Sequence, residues 1–181
     1  VKGLVDDWPI TLTAKKSPEQ AIDYLMSYYQ GMPVGTGTCS SEFDGRLFYN
    51  EDFSDVNFER KTTDLGSFFE ELKSTWSERQ PSGCYLGSTN IDRLTPGFRK
   101  TNNLVDLDTL NPLMSIWASN QTTVAAHHDV PNNVACCVAG KRRFTLFPPE
   151  QVANLYIGPL EHTPAGQAIS LVNFDEPDFE K

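Results

Sequence analysis

The feature that most constrains this chain is how its apolar residues are cut up. From the middle of the sequence onward they come in short runs rich in β-branched and aromatic residues, each closed by Gly, Pro, Asn or Ser. The runs at 46–49, 83–86, 113–118, 122–129, 133–138 and 143–147 read as short strands. Helical spacing appears in two other places. Ser17 can cap a helix that starts with Pro18 at its first position and carries Gln20 where a capping box closes. That helix is expected to run to Gln30 and stop at Gly31, with Ile22, Leu25, Met26 and Tyr29 on one face. A second is expected over 64–76, with Leu65, Phe68, Phe69 and Leu72 inside. A short helical turn should begin at Pro148-Pro149 and end near Tyr156, and the tail around Phe174-Asp175-Glu176-Pro177-Asp178 reads as an exposed turn. Few helices and many short strands predict an α+β chain, mainly β, whose core is a sandwich or barrel.

With 181 residues, the chain is sized for a single domain over 1–181. The helical and strand part occupies about 1–110 and the β core about 111–181. The formal net charge of -9 repels phosphate backbones on average, so nucleic acid is an unexpected partner. Lys141-Arg142-Arg143 is the one dense basic spot. No apolar run is long enough for a membrane span, and VKGLVDDWPI lacks the build of a signal peptide, so a cytoplasmic location is the default expectation. The four cysteines, Cys39, Cys84, Cys136 and Cys137, form no CxxC pair, and buried free thiols are expected.

The three histidines are His127, His128 and His162. On a strand, His127 and Asp129 would share one face and His128 the other, because side chains repeat every two residues. An imidazole and a carboxylate side by side make two thirds of the 2-His-1-carboxylate set of non-haem Fe(II) oxygenases. The same pair also serves as a plain hydrogen bond on a strand surface. Ala125 and Ala126 leave room beside it, and the basic triplet that follows offers a cation to an anionic co-substrate.

The stretch HHDVPNNVACCVAGKRRFTLFPPEQVANLYIGP resembles the cupin-like JmjC family. That family includes the asparaginyl hydroxylase acting on hypoxia-inducible factor and many bacterial proteins. The matching elements are His127-x-Asp129, Asn133, Gly140-Lys141-Arg142, Leu146-Phe147-Pro148-Pro149 and Leu155-Tyr156. More weakly, VKGLVDDWP resembles the family's early strand, and FDEPDFEK resembles the segment after the LYP-like turn. The resemblance implies a double-stranded β-helix, or jelly roll, with flanking helices. It implies an Fe(II)- and 2-oxoglutarate-dependent oxygenase, hydroxylating a protein side chain or a small molecule.

Carried over residue by residue, the resemblance gives His127 and Asp129 as iron ligands. Arg142 holds the distal carboxylate of 2-oxoglutarate, with Tyr85 reaching the same group and Asn133 nearby. Lys141 and Arg143 should then face solvent. Thr123 shares strand parity with His127, although Val124 occupies the position where the family has a threonine. The family's second histidine ligand follows a segment not present before Lys181, so the jelly roll is expected to be incomplete at the C-terminus and this chain alone to be a poor oxygenase. His162 is expected to be a surface histidine. Unpaired strand edges would admit a homodimer. Two other readings stay open: a cupin-type protein that binds a metal or small acid without oxidation, and a jelly-roll interaction module.

Overall fold

The protein is described by a computed structural model covering residues 1–174 and Glu176; the expected tail turn falls largely outside the described residues. The helices form where caps and apolar spacing agree. A short helix, α1 (Pro9–Ala14), starts with Pro at its first position. Helix α2 (Pro18–Met26) opens on Ser17, whose hydroxyl accepts the Gln20 N–H at 3.1 Å. Helix α3 (Leu65–Ser74) opens on Asp64, which accepts the Ser67 N–H, and buries Leu65, Phe68, Phe69 and Leu72. A last short helix is α4 (Ile91–Leu94).

The strands are β1 (Val34–Cys39), β2 (Arg46–Leu47), β3 (Phe58–Thr63), β4 (Gly83–Asn90), β5 (Ser115–Ser119) and β6 (Thr123–Val124). A four-stranded sheet runs β3-β1-β4-β5, antiparallel throughout, and β2 pairs with β6 in parallel. The register sets Arg60 opposite Gly37, Gly37 opposite Tyr85 and Tyr85 opposite Ser119. Residues directly opposite share a face, so these four make one lateral row. The other face carries Val34, Cys84 and Leu86, which join Ile10, Ile22, Leu25 and the buried side of α3 in the main core. Full burial of Phe68, Leu65 and Leu86 contributes roughly 1.5–3 kcal/mol each. A smaller cluster of Tyr49, Ala125 and Ile169 lies beneath the other half of the chain.

Several expectations are corrected. Residues 2–7 are turns rather than the early strand, because the chain must bend into Pro9 and Trp8 is drawn into the core. Strands β1 and β3 were not legible. The first helix ends at Met26, four residues early, and α3 at Ser74. Only 123–124 of the expected strand 122–129 is regular, and His127 pairs with Ile169 as an isolated bridge. The stretches 133–138 and 143–147 are irregular. Among the described residues no backbone hydrogen bond ties 133–147 to a neighbouring strand, and a strand without a partner does not persist in water. Cys136 still packs against the core, whereas Cys137 is exposed; Cys39 and Cys84 are buried, and all are free. The 3-10 turn Pro149–Asn154 forms where expected. Among the described residues no helix is long and apolar enough to cross a membrane. The architecture is thus α+β with a mainly antiparallel sheet.

Burial, then the charge of Glu71, pushes the Cys84 thiol up to about 11 from its ordinary 9.0. A pKa raised by folding favours the protonated fold. Its stabilising effect is complete below pH 9 and is lost as pH rises toward 11. Cys84→Ala should therefore remove part of the alkaline destabilisation, on the order of 1–2 kcal/mol. Urea unfolding at neutral and alkaline pH measures it; equal alkaline losses in both proteins would assign the effect elsewhere.

Candidate functional site

The face of the sheet away from the helices is nearly bare. Strand β1 reads Val-Gly-Thr-Gly-Thr-Cys, and its period of two sends Gly35 and Gly37 to this face. Gly87 continues the gap on β4. Together with Phe58, Arg60, Thr62 and Tyr85 they floor a cavity of about 390 Å³. The opposite wall is apolar, built by Leu47, Val124, Ala125, Pro164, Ala165 and Ile169. The volume suits a small ligand.

His127 and Asp129 stand beside this chamber. The lining reaches Ala125 and Ile169, the bridge partner of His127, but His127 and Asp129 are themselves outside it. His127 Nε2 lies 3.8 Å from Asp129 Oδ1, with the side chains 27% and 47% exposed, so the pair is open on one side. The shared orientation expected from strand parity is present, although the ladder is not. His127 Nδ1 is 2.8 Å from the carbonyl oxygen of Ala125. A carbonyl only accepts, so Nδ1 carries the proton and, in the neutral ring, the Nε2 lone pair faces Asp129. Asp129 is held at both oxygens. Asn133 donates to Oδ2 at 2.6 Å and Gln167 to Oδ1 at 3.1 Å. Asn133 is thus found on the carboxylate of Asp129.

Tyr85 lies mid-sheet and lines the cavity. Burial holds its phenol above the usual tyrosine range; the Arg142 charge pulls it down and the Asp129 charge pushes it up. The charges of Arg142 and Asp129 thus both act on the phenol. Arg142 is exposed, as are Lys141 and Arg143. Lys141 reaches a separate cleft with Asp44, Pro81 and Asn120. Thr123 is exposed and pairs with Arg46, whereas Val124 faces the chamber. His128 is exposed, and so is His162, in a loop, as expected of a surface histidine.

The donor chemistry of His127 and Asp129 fits a divalent transition metal. Among the described residues no third His, Cys, Asp or Glu completes a metal group with them. Sequence reasoning missed Gly35, Gly37 and Arg60. The alternation of glycine with threonine in β1 was the available signal, but assigning faces required the register with β3 and β4.

The glycines make a sharp contrast. A Cβ on Gly35 would meet nothing within 4 Å, whereas one on Gly37 would lie 3.1 Å from the Phe58 ring. Gly35→Val should be neutral or stabilising by up to about 1 kcal/mol, since valine suits a strand better than glycine. Gly37→Val should cost about 1–3 kcal/mol through overpacking. Chemical denaturation of both variants tests this, and equal effects would contradict the geometry.

The sequence pattern that defines the cupin-like domain matches residues 1–181. Among curated proteins, the chain is similar to the tRNA wybutosine-synthesizing protein 4 of Emericella nidulans, 26% identical over 129 residues. The match covers 67% of this chain and 12% of that protein, so the chain spans only a small part of its relative's length. With the pattern matched from Val1 to Lys181, the chain belongs to the cupin-like domain family, of JmjC type.

Proposed function

We propose that this chain carries the iron- and 2-oxoglutarate-binding site of an oxygenase that hydroxylates a protein side chain or a small molecule. The observation carrying this reading is the pairing of His127 with Asp129. At 3.8 Å, Nε2 and Oδ1 are beyond hydrogen-bond range. Nδ1 already holds the ring proton, so two Lewis bases face each other. A divalent cation between them relieves that repulsion.

In this reading His127 and Asp129 hold Fe(II), which when bound supplies the redox chemistry of oxygen activation. The Ala125 carbonyl fixes the imidazole, and Asn133 and Gln167 fix the carboxylate. Arg142 receives the distal carboxylate of 2-oxoglutarate with its planar fork. Tyr85 supports it as a donor, because its raised pKa keeps the phenol protonated at neutral pH. The apolar wall keeps water from the chamber where substrate would lie. The resemblance to the asparaginyl hydroxylase supports a protein side chain as one target. The relative named for tRNA wybutosine synthesis makes RNA a rival target, against which the net charge of -9 weighs. The reading without oxidation, binding of a metal or small acid only, is favoured by one fact: no third donor joins the pair among the described residues.

Succinate formation from 2-oxoglutarate is the test, with Fe(II) and ascorbate present and with a chelator as control. Turnover should require iron, and Asp129→Ala should abolish it. Arg142→Ala should raise the apparent KM for 2-oxoglutarate by about tenfold or more, the worth of a charge-assisted bond. Iron binding without any succinate would select the binding-only reading, and chelator-resistant turnover would remove His127 and Asp129 from the chemistry.

A further inference from the structure

Two neighbouring cations on β3 have opposite fates. Lys61 lies on the helix side and is neutralised by Glu71 of α3. Arg60 lies on the chamber side, opposite Gly37, and lines the cavity. Among the described residues no carboxylate lies within ion-pair distance of it. Its Nη2 donates to the carbonyls of Thr163 and Pro164 at 3.2 and 3.4 Å. Its guanidinium also lies 5.2 Å from the Phe58 ring centroid. These contacts orient the group, and among the described residues its Nε and Nη1 have no hydrogen-bond acceptor and its charge no carboxylate.

The row Arg60, Gly37, Tyr85 spans two strand spacings, roughly 10 Å. That separates Arg60 from the Tyr85 end, where Arg142 and Asp129 act. Between them the floor is glycine, and the facing wall, including Ala125 and Ile169, is apolar. A ligand fitting this space has an aliphatic stem and one anionic group that can accept a charge-assisted hydrogen bond from the guanidinium.

We infer that Arg60 and the glycine-floored chamber form a subsite for a carboxylate borne by the substrate, distinct from the co-substrate's carboxylate at Arg142. The assignment rests on the proposed oxygenase reading for the word substrate; the carboxylate site itself does not. Of the two cations lining the cavity, Lys61 is paired with Glu71 and Arg60 is exposed opposite an apolar wall, which matches one carboxylate on a short stem, such as an acidic side chain. This arrangement offers nothing further to a polyanion, which the net charge of -9 also repels.

The experiment is equilibrium binding without iron, followed by NMR shifts of the Gly35 and Gly37 amides. The probes are N-acetyl-aspartate amide, the neutral N-acetyl-asparagine amide and N-acetyl-O-phosphoserine amide. The aspartate probe should shift both amides and the asparagine probe should not. Arg60→Gln should weaken the aspartate probe at least tenfold, Arg60→Lys should retain part of the affinity, and Arg142→Ala should leave it unchanged. Gly35→Val fills the chamber with Arg60 intact and should also weaken binding, which keeps the test valid if Arg60→Gln loses its loop contacts and unfolds. The inference is overturned if the aspartate probe fails to bind, if the neutral probe binds equally well, if only the phosphoserine probe binds, or if Arg142→Ala rather than Arg60→Gln removes binding. Absence of succinate formation with probe binding intact would defeat the oxygenase reading and leave the carboxylate site standing.

Discussion

The double pairing of β1 is the constraint on which the rest of the structure depends. This strand is hydrogen-bonded to β3 on one side and β4 on the other, so its register fixes the faces of three strands at once. With Gly37 opposite both Arg60 and Tyr85, the glycines face the chamber and Val34 faces the helices. A slip of one residue would exchange the faces. Val34 would leave the core and Tyr85 would enter it. Burial of Val34, Cys84 and Leu86 against α2 and α3 opposes that slip, so the energy of the core is what aims the site.

The His127–Asp129 pair is held differently. His127 and Asp129 lie on irregular chain, where no continuous ladder orients them. Their placement comes from stitches between distant segments. Ser170 donates its N–H to Ala126 and its hydroxyl to Leu155, and Gln167 reaches across 38 positions to Asp129. Ser170 and Ile169 are almost fully buried, which shields the Ser170 bonds, whereas the Gln167–Asp129 bond is exposed. Around them, however, Val130 and Leu146 are 89% and 86% exposed. Few buried contacts and few backbone bonds mean a low local cost of opening. Arg142 lies in this softer part, whereas Tyr85 and Arg60 stand on the sheet.

What the sequence disclosed follows from how local each signal is. Helices α2 and α3 were legible because a cap and an apolar stripe lie within a dozen residues of each other. Strands β4 and β5 were legible from their apolar content. Strand β1 was not, since its two glycines are poor strand formers and are tolerated only by pairing on both edges. Strand β3, Phe-Glu-Arg-Lys-Thr-Thr, hides because its residues are mostly polar and Lys61 is neutralised only once the following helix α3 packs beside it. The expected strands at 133–138 and 143–147 had the right residues and no neighbour to bond. In the site, the two-residue spacing of His127 and Asp129 correctly foretold their shared side. Proximity of Tyr85 to Arg142 came from resemblance, and Arg60 was invisible because its face depends on register.

Charge acts here on two length scales, so an acidic chain and the proposed anion sites are compatible. The net charge of -9 shapes the field that an approaching molecule meets. Salt screens that field over roughly 8–10 Å, so a long polyanion, which must lie against much of the surface, meets repulsion along its length. A small carboxylate inside the chamber meets a different environment. There Arg60, exposed on one side, faces an apolar wall, and a short-range contact with it is less affected by the charge of the whole chain. Lys61 does not add to that contact on the chamber side, because Glu71 cancels it on the helix side. An acidic surface and a cationic floor therefore work in one direction. In the proposed reading the surface disfavours long polyanions while the floor favours short acids, so the local sign of charge at Arg60 and Arg142, rather than the sum over the chain, would set the ligand class.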